Sequence, residues 1–345
     1  MAEQGFSHPE RPVRHSYPVR VADDGLMTAV GLFLRTTPII LVRLGVLVGF
    51  TLASIVWFLL SAGAGALIGR ITTGQVGMWA FLIGVGLPAG VFAWLRRYVL
   101  YALKLAHVAV LTRLITHGEL EPGTDQLQYG KAAVTARFGE LNLLFVMDAL
   151  VHGVVGSFLR TVDWFAGFIP IPGLSGIMRF ADAVLRNATT YIDETIFSYN
   201  LARGDENQWR SAKDGLVYYA QNWKPVLKTA AWAVVLEYAL SAASFFALLA
   251  PCLALGSVFP RLGGWAILVG VILAMNLRSA VFRPLLLTMV AVTFHKAAEG
   301  QAIDSQLEGT LGSVSDKFRE LGDRARGWAP GAVSRPAGAL GQASA

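Results

Sequence analysis

Cysteine is almost absent. Cys252 is the only one in 345 residues, so the chain has no disulfide framework. Charge is scarce too: 15% of residues are Asp, Glu, Lys or Arg, against about 25% in soluble domains. A soluble chain of this length would need more charge to cover its surface. A disordered chain is excluded as well, because disorder requires low hydrophobicity. There is no Walker A loop and no Gly-x-Ser-x-Gly elbow. Gly63-Ala64-Gly65 lies in an apolar run without a strand pattern or an acidic partner. No catalytic residue, metal site or cofactor is therefore expected, and the chain does not read as an enzyme. No zinc-finger spacing or interleaved aromatic and basic pattern points to nucleic acid. No apolar core with a small-residue cleavage site lies near the start, so no cleaved secretory signal is expected.

What is present is apolar: 54% of the chain by the AVILMFWYC count. A helix needs about 20 mostly apolar residues to cross the hydrocarbon. Four runs qualify: about 38–69 with Arg43 inside, 76–95, 226–255 with Glu237 inside, and 264–290 with Asn276, Arg278 and Arg283 inside. Short links around Arg70–Gln75 and Pro260–Gly263 make two hairpins. The expected fold is an all-α polytopic membrane protein with four spans. Basic residues cluster outside the spans: Arg11, Arg14, Arg20, Arg35, Arg96, Arg97, Lys104, Lys213, Lys224, Lys296 and Lys317, with one arginine in each tight link. Positive charge accumulates on the cytoplasmic side. Both termini and the middle segment are therefore expected there, in a plasma (inner) membrane.

The hairpins resemble each other. Gly77-Met78-Trp79-Ala80 reads against Gly263-Gly264-Trp265-Ala266, and the same offset puts Arg97 on Arg283. Beyond them, Gln126-Leu127 meets Gln306-Leu307, and Arg137-Phe138-Gly139-Glu140-Leu141 meets Lys317-Phe318-Arg319-Glu320-Leu321. The reading is a parallel repeat, an arrangement found in some transporters. Five segments follow: a flexible cytoplasmic tail (1–35), the first hairpin with its cytoplasmic helix (36–141), an amphipathic interfacial or re-entrant segment (142–221), the second hairpin with its helix (222–327), and a disordered tail (328–345).

In the middle segment Asp148 and His152 share a helical face, and Asp193 and Glu194 extend a polar stripe that includes Arg179, Asp182 and Arg186. These are candidate residues of a cytoplasmic platform. Glu237, Arg278 and Asn276 are the candidate transport or ion residues, because a charge at the bilayer centre is costly and usually faces protein or water. Glu237 and Arg278 lie at similar depth on antiparallel helices. Two readings stand for the pair: a clamp for the hairpin, or a cation or proton site. Phe50 and Phe92 occupy the equivalent places in the first hairpin. Asn276 suits a hydrogen bond across helices. Gly65-x-x-x-Gly69 and Gly86-x-x-x-Gly90 suit close helix packing, within the chain or in a homo-oligomer.

Leu185-Arg186-Asn187-Ala188-Thr189-Thr190-Tyr191-Ile192, Ser211-Ala212-Lys213-Asp214, Trp94-Leu95-Arg96-Arg97 and Met289 to Phe294 resemble, in the same order, stretches of the choline transporter-like family over about residues 76–300. That family is larger, with about ten spans and an extracellular domain after the first. The resemblance implies transport of a small cationic or choline-like solute. A non-transporting membrane scaffold or assembly factor is the alternative.

Overall fold

The structure, a computed structural model, describes residues 17–138, 141–161, 191–204, 207–258 and 265–328. Among these, 88% are helical and no strand occurs, the fold of an all-α polytopic membrane protein. Four helical stretches are long and apolar enough to cross a bilayer: Thr37–Ile71, Gly74–His117, Trp223–Ala254 and Ile267–Ala298.

The first hairpin is α2 (Thr37–Ile71) and α3 (Gly74–His117), preceded by α1 (Leu26–Arg35) and followed by α4 (Gln126–Phe138). The Thr73 side chain caps α3 by accepting from the Val76 N–H. Gly118 ends α3 at φ +84°, a left-handed position that a side chain would strain. The two helices meet backbone to backbone. A Cβ on Gly77 would lie 2.4 Å from the Gly65 carbonyl oxygen and 2.6 Å from Gly69 Cα. The first Gly-x-x-x-Gly motif therefore packs within the chain, whereas Gly86 and Gly90 meet nothing within 4 Å. Pro88 interrupts α3 and cannot donate to the Gly84 carbonyl four residues back. The Trp57 indole N–H reaches across from α2 and takes that place at 2.9 Å. Apolar surroundings make such a replacement donor valuable.

Between the hairpins lie α5 (Leu141–Thr161), α6 (helical over residues 191–203) and α7 (Gln208–Gln221). The second hairpin is α8 (Trp223–Val258) against α9 (Ala266–Leu277), a π-helical turn (Arg278–Phe282) and α10 (Arg283–Ala298). Short α11 (Ser305–Val314) and α12 (Asp316–Arg326) follow, capped by Asp304 and Ser315. The matched pairs Gln126-Leu127 and Gln306-Leu307 both open the helix that follows a hairpin. The second matched block does not correspond: Arg137-Phe138 closes α4, whereas Lys317-Phe318 opens α12. Ser315 accepts from the Phe318 N–H and starts a new helix where α4 runs on.

Each hairpin has an exposed apolar half and a packed half. On α3 the side chains from Leu103 to Thr116 are largely buried, while Trp79, Leu87, Val91 and Trp94 are exposed. On α8 Val226, Leu227, Ala230, Ala233 and Val234 are buried, while Phe246, Leu253 and Val258 are exposed. The packed halves join α5–α7, α11 and α12 in one core that includes Ile192, Tyr199, Leu216, Tyr218, Phe294, Phe318 and Leu321.

This packing revises two expectations. Residues 17–35 do not trail as a loose tail. The Arg20 N–H donates to the Ile115 carbonyl at 2.8 Å, and α1 buries Ala29 and Leu32. Residues 142–221 do not lie flat at an interface where they are described. Almost every residue of 191–200 is buried, so α6 is a core helix, and α5 packs on α7, α11 and α12. Helical periodicity marks an apolar face but not what covers the polar one. Pro170, Pro172, Arg179, Asp182, Arg186 and the stretch 185–190 lie outside the described residues, as does 329–345.

Candidate functional site

Glu237 and Arg278 do meet. Glu237 is 2% exposed, where the continuously packed half of α8 ends. Its Oε1 accepts from Arg278 Nε at 2.6 Å and from Arg283 Nε at 2.9 Å. Its Oε2 accepts from the Tyr191 hydroxyl of α6 at 2.6 Å. A buried carboxylate is costly unless its oxygens are hydrogen-bonded to positive partners, and here both oxygens are. Arg278 also lies over the Tyr238 ring, 5.2 Å from its centroid.

The backbone explains how two arginines reach one carboxylate. Five residues along an α-helix rotate a side chain by about 140° net, nearly to the opposite face. Residues 278–282 form a π turn instead, closed by the Arg283 N–H donating to the Arg278 carbonyl, and Pro284 follows. The wider turn brings Arg278 and Arg283 to one side. Such bulges often occur at functional sites.

Depth follows from the exposed surface above the cluster. From Glu237 to Val258 is about 32 Å of helix, close to the hydrocarbon thickness of about 30 Å. The charged cluster thus lies at the edge of the exposed apolar zone, not at its middle. Asn276 is not part of it. Its amide donates to Thr51 Oγ1 on α2 at 3.0 Å and joins the two hairpins.

The platform candidates gather nearby around Lys104 of α3. Glu194 pairs with Lys104 at 3.0 Å. His152 pairs with Asp193 through Nδ1 at 2.6 Å. Asp148 lines the same small pocket, together with Tyr101 and Asn200. Burial lifts the Asp193 carboxyl to about 6, and the bond to Asp193 raises His152 above the ordinary imidazole range. Burial also raises Asp148. Tyr191, Asp193 and Glu194 share one turn of α6, so this helix bridges the two clusters.

Sequence reasoning missed Arg283 and Tyr191 as partners of Glu237. The signal for Arg283 was Arg-Pro at the foot of the span; Tyr191 gave none, since its approach depends on packing. It also missed a buried chain across the core. Thr112 Oγ1 donates to the Val108 carbonyl at 2.7 Å, which uses its only proton. Ser198 must then donate to Thr112 at 2.7 Å and accept from His295 Nε2 at 2.8 Å. His295 Nδ1 is left to accept from the Tyr17 hydroxyl at 2.8 Å. The imidazole thus donates to Ser198 and cannot act as its base. The chain fastens residue 17 to α10.

A cleft of about 620 Å³ opens between α2 and α3 in the apolar zone, lined by Phe50, Trp57, Phe58, Pro88 and Phe92 with Arg96. Glu237 does not line it. Among the described residues, no group of three or more His, Cys, Asp or Glu is placed to hold a metal ion. Comparisons with family models, curated proteins and solved structures give no match.

Proposed function

We propose that this integral membrane protein is a non-transporting scaffold: two hairpins in the bilayer carry a helical platform of α4–α7, α11 and α12. One observation carries the reading. Glu237 is closed by three donors and nearly inaccessible, so it offers a passing cation no free ligand oxygen. The pair acts as a clamp between α8, α10 and α6. Basic residues gather at the platform end, among them Arg20, Arg113, Lys131, Lys224, Lys228 and Lys296, against Arg70 at the far link. By the positive-inside rule that end, with residue 17 and residue 328, faces the cytoplasm of an inner membrane.

A second reading, passage of a choline-like solute, is favoured by the aromatic lining of the α2–α3 cleft. Rings attract quaternary ammonium groups through their faces. The cleft has no carboxylate in its lining and has Arg96 at its edge, which opposes a cation. The test is uptake of labelled choline and of monovalent cations into proteoliposomes. No uptake above empty vesicles, in wild type and in Glu237→Gln alike, is the expected result. Choline uptake abolished by Trp57→Ala or Phe92→Ala would replace the scaffold with the second reading.

A further inference from the structure

Three guanidinium groups surround the Glu237 carboxylate's level, and only two of them touch it. The Asn276–Thr51 hydrogen bond sets the register of the antiparallel helices α2 and α9. Arg283 lies seven residues below Asn276 and Arg43 eight below Thr51, so both sit about 11 Å down, at a similar level. Arg43 lies within electrostatic reach of Arg283 and of Glu194. Its Nε is buried and has no hydrogen-bond partner among the described residues. Glu194 is taken by Lys104.

The donors of the other two arginines are half used. A bidentate fork would engage Nε and a terminal nitrogen with both carboxylate oxygens. Tyr191 holds Oε2, so Arg278 and Arg283 each reach Oε1 through Nε alone. Among the described residues their terminal amino groups have no hydrogen-bond partner. The Arg283 side chain is 48% exposed and the Arg278 side chain 27%. Three arginines thus share two carboxylates, Glu237 and the Lys104-paired Glu194, at the foot of the exposed apolar surface. Like charges in such surroundings repel unless an anion joins them.

We propose that Arg43, Arg278 and Arg283 bind the phosphate of an anionic phospholipid headgroup. The chemistry recognised is an anionic phosphodiester, whose two non-bridging oxygens suit planar guanidinium donors. The lipid rather than a free anion is the source because exposed apolar side chains, Leu41, Val42 and Val48 on α2 and Met275 just before the π turn, lie beside the arginines and give an acyl chain its place. Basic pockets between membrane helices bind lipid headgroups in this manner.

The test is native mass spectrometry with titration of phosphatidylglycerol, against phosphatidylcholine and against inorganic phosphate. Wild type is expected to retain phosphatidylglycerol in preference to phosphatidylcholine, and inorganic phosphate is not expected to displace it. Arg43→Gln and Arg283→Gln should each weaken retention about fivefold, as loss of one basic contact near a lipid surface does. Arg43→Lys should recover part of it, and Arg70→Gln, at the opposite end, should leave it unchanged. Equal retention of both lipids, or a fivefold loss in Arg70→Gln as well, overturns the site. Displacement by inorganic phosphate at comparable concentration overturns the lipid assignment. Should Arg283→Gln unfold through losing Glu237, Arg43→Gln breaks no hydrogen bond and carries the test alone.

Discussion

Phe50 and Phe92 pack edge to face across the first hairpin, with ring centroids 5.1 Å apart. At the matching residues the second hairpin holds Glu237 against Arg278 at 2.6 Å. The same antiparallel pairing is thus closed by an aromatic contact in one unit and by a charge contact in the other. The difference follows from what lies alongside. Around Phe50 and Phe92 is an apolar cleft, where rings need no partner. Around Glu237 lie Tyr191, Arg278 and Arg283, which supply a donor for each carboxylate bond. A charge is tolerated at the edge of an apolar zone when neighbouring helices complete its hydrogen bonds. The first hairpin is held by shape and the second by chemistry, and each has its own point of failure.

The largest expected effect is on the charge contact. Glu237→Ala leaves two arginines facing each other without their carboxylate and should cost about 3 kcal/mol, at the low end for a broken buried pair because Arg283 is half in solvent. Thermal unfolding in detergent measures it. A melting temperature equal to that of wild type would show that the contact clamps nothing. Next comes the shape contact. Gly77→Ala places a methyl group within 2.4 Å of the Gly65 carbonyl and should cost about 2 kcal/mol. Gly270→Ala in the second hairpin meets Leu249 only at 3.7 Å and should be tolerated. Equal losses at both glycines would erase the contrast between the hairpins.

A smaller effect, about 1 kcal/mol, is expected for Trp57→Phe, which removes the donor that serves the Gly84 carbonyl. In a double-mutant cycle Pro88→Ala should absorb this cost, because the alanine N–H restores the helical bond. Additive losses would mean the indole serves no such role. The smallest effect is a pH dependence shared with the platform. His152 and Asp193 both have raised values in the folded chain, so the folded state binds more protons than the unfolded chain. Asp193's contribution is full below about 3.9 and falls as pH rises through about 6. His152's is full below about 6.5 and falls as pH rises past its higher folded value. Stability should therefore decline as pH rises from about 4 past 6.5. His152→Asn should flatten the upper part of that slope, read by thermal unfolding across pH, while Glu237→Ala should not.

Much of the frame could be read from residues alone. The four apolar runs, one of them unbroken and three holding Arg43, Glu237 or Asn276 with Arg278 and Arg283, became the four long helical stretches, because twenty apolar residues in sequence have few other ways to satisfy their backbone. The Glu237–Arg278 pair was legible for a similar reason: two charges at equal depth on one hairpin have few other partners. The platform was legible only as polarity. The stripe containing Asp193 looked like a water-facing side, yet α6 is buried there and its polar groups turn to His152, Lys104 and Glu237. No pattern within one helix tells whether its polar face meets water or another helix.

By itself the sequence determined that the chain is helical, that it crosses a membrane in hairpins, and which rare charges mark the second hairpin. These are properties of local composition and of solvent, so they need no neighbours. The tertiary structure alone decided that Tyr191 and Arg283 close around Glu237, that Gly65 packs on Gly77 while Gly86 meets nothing, and that His295 binds residue 17 to α10. Each of these depends on bringing distant residues within about 3 Å, a distance set by packing and by one π turn before Pro284.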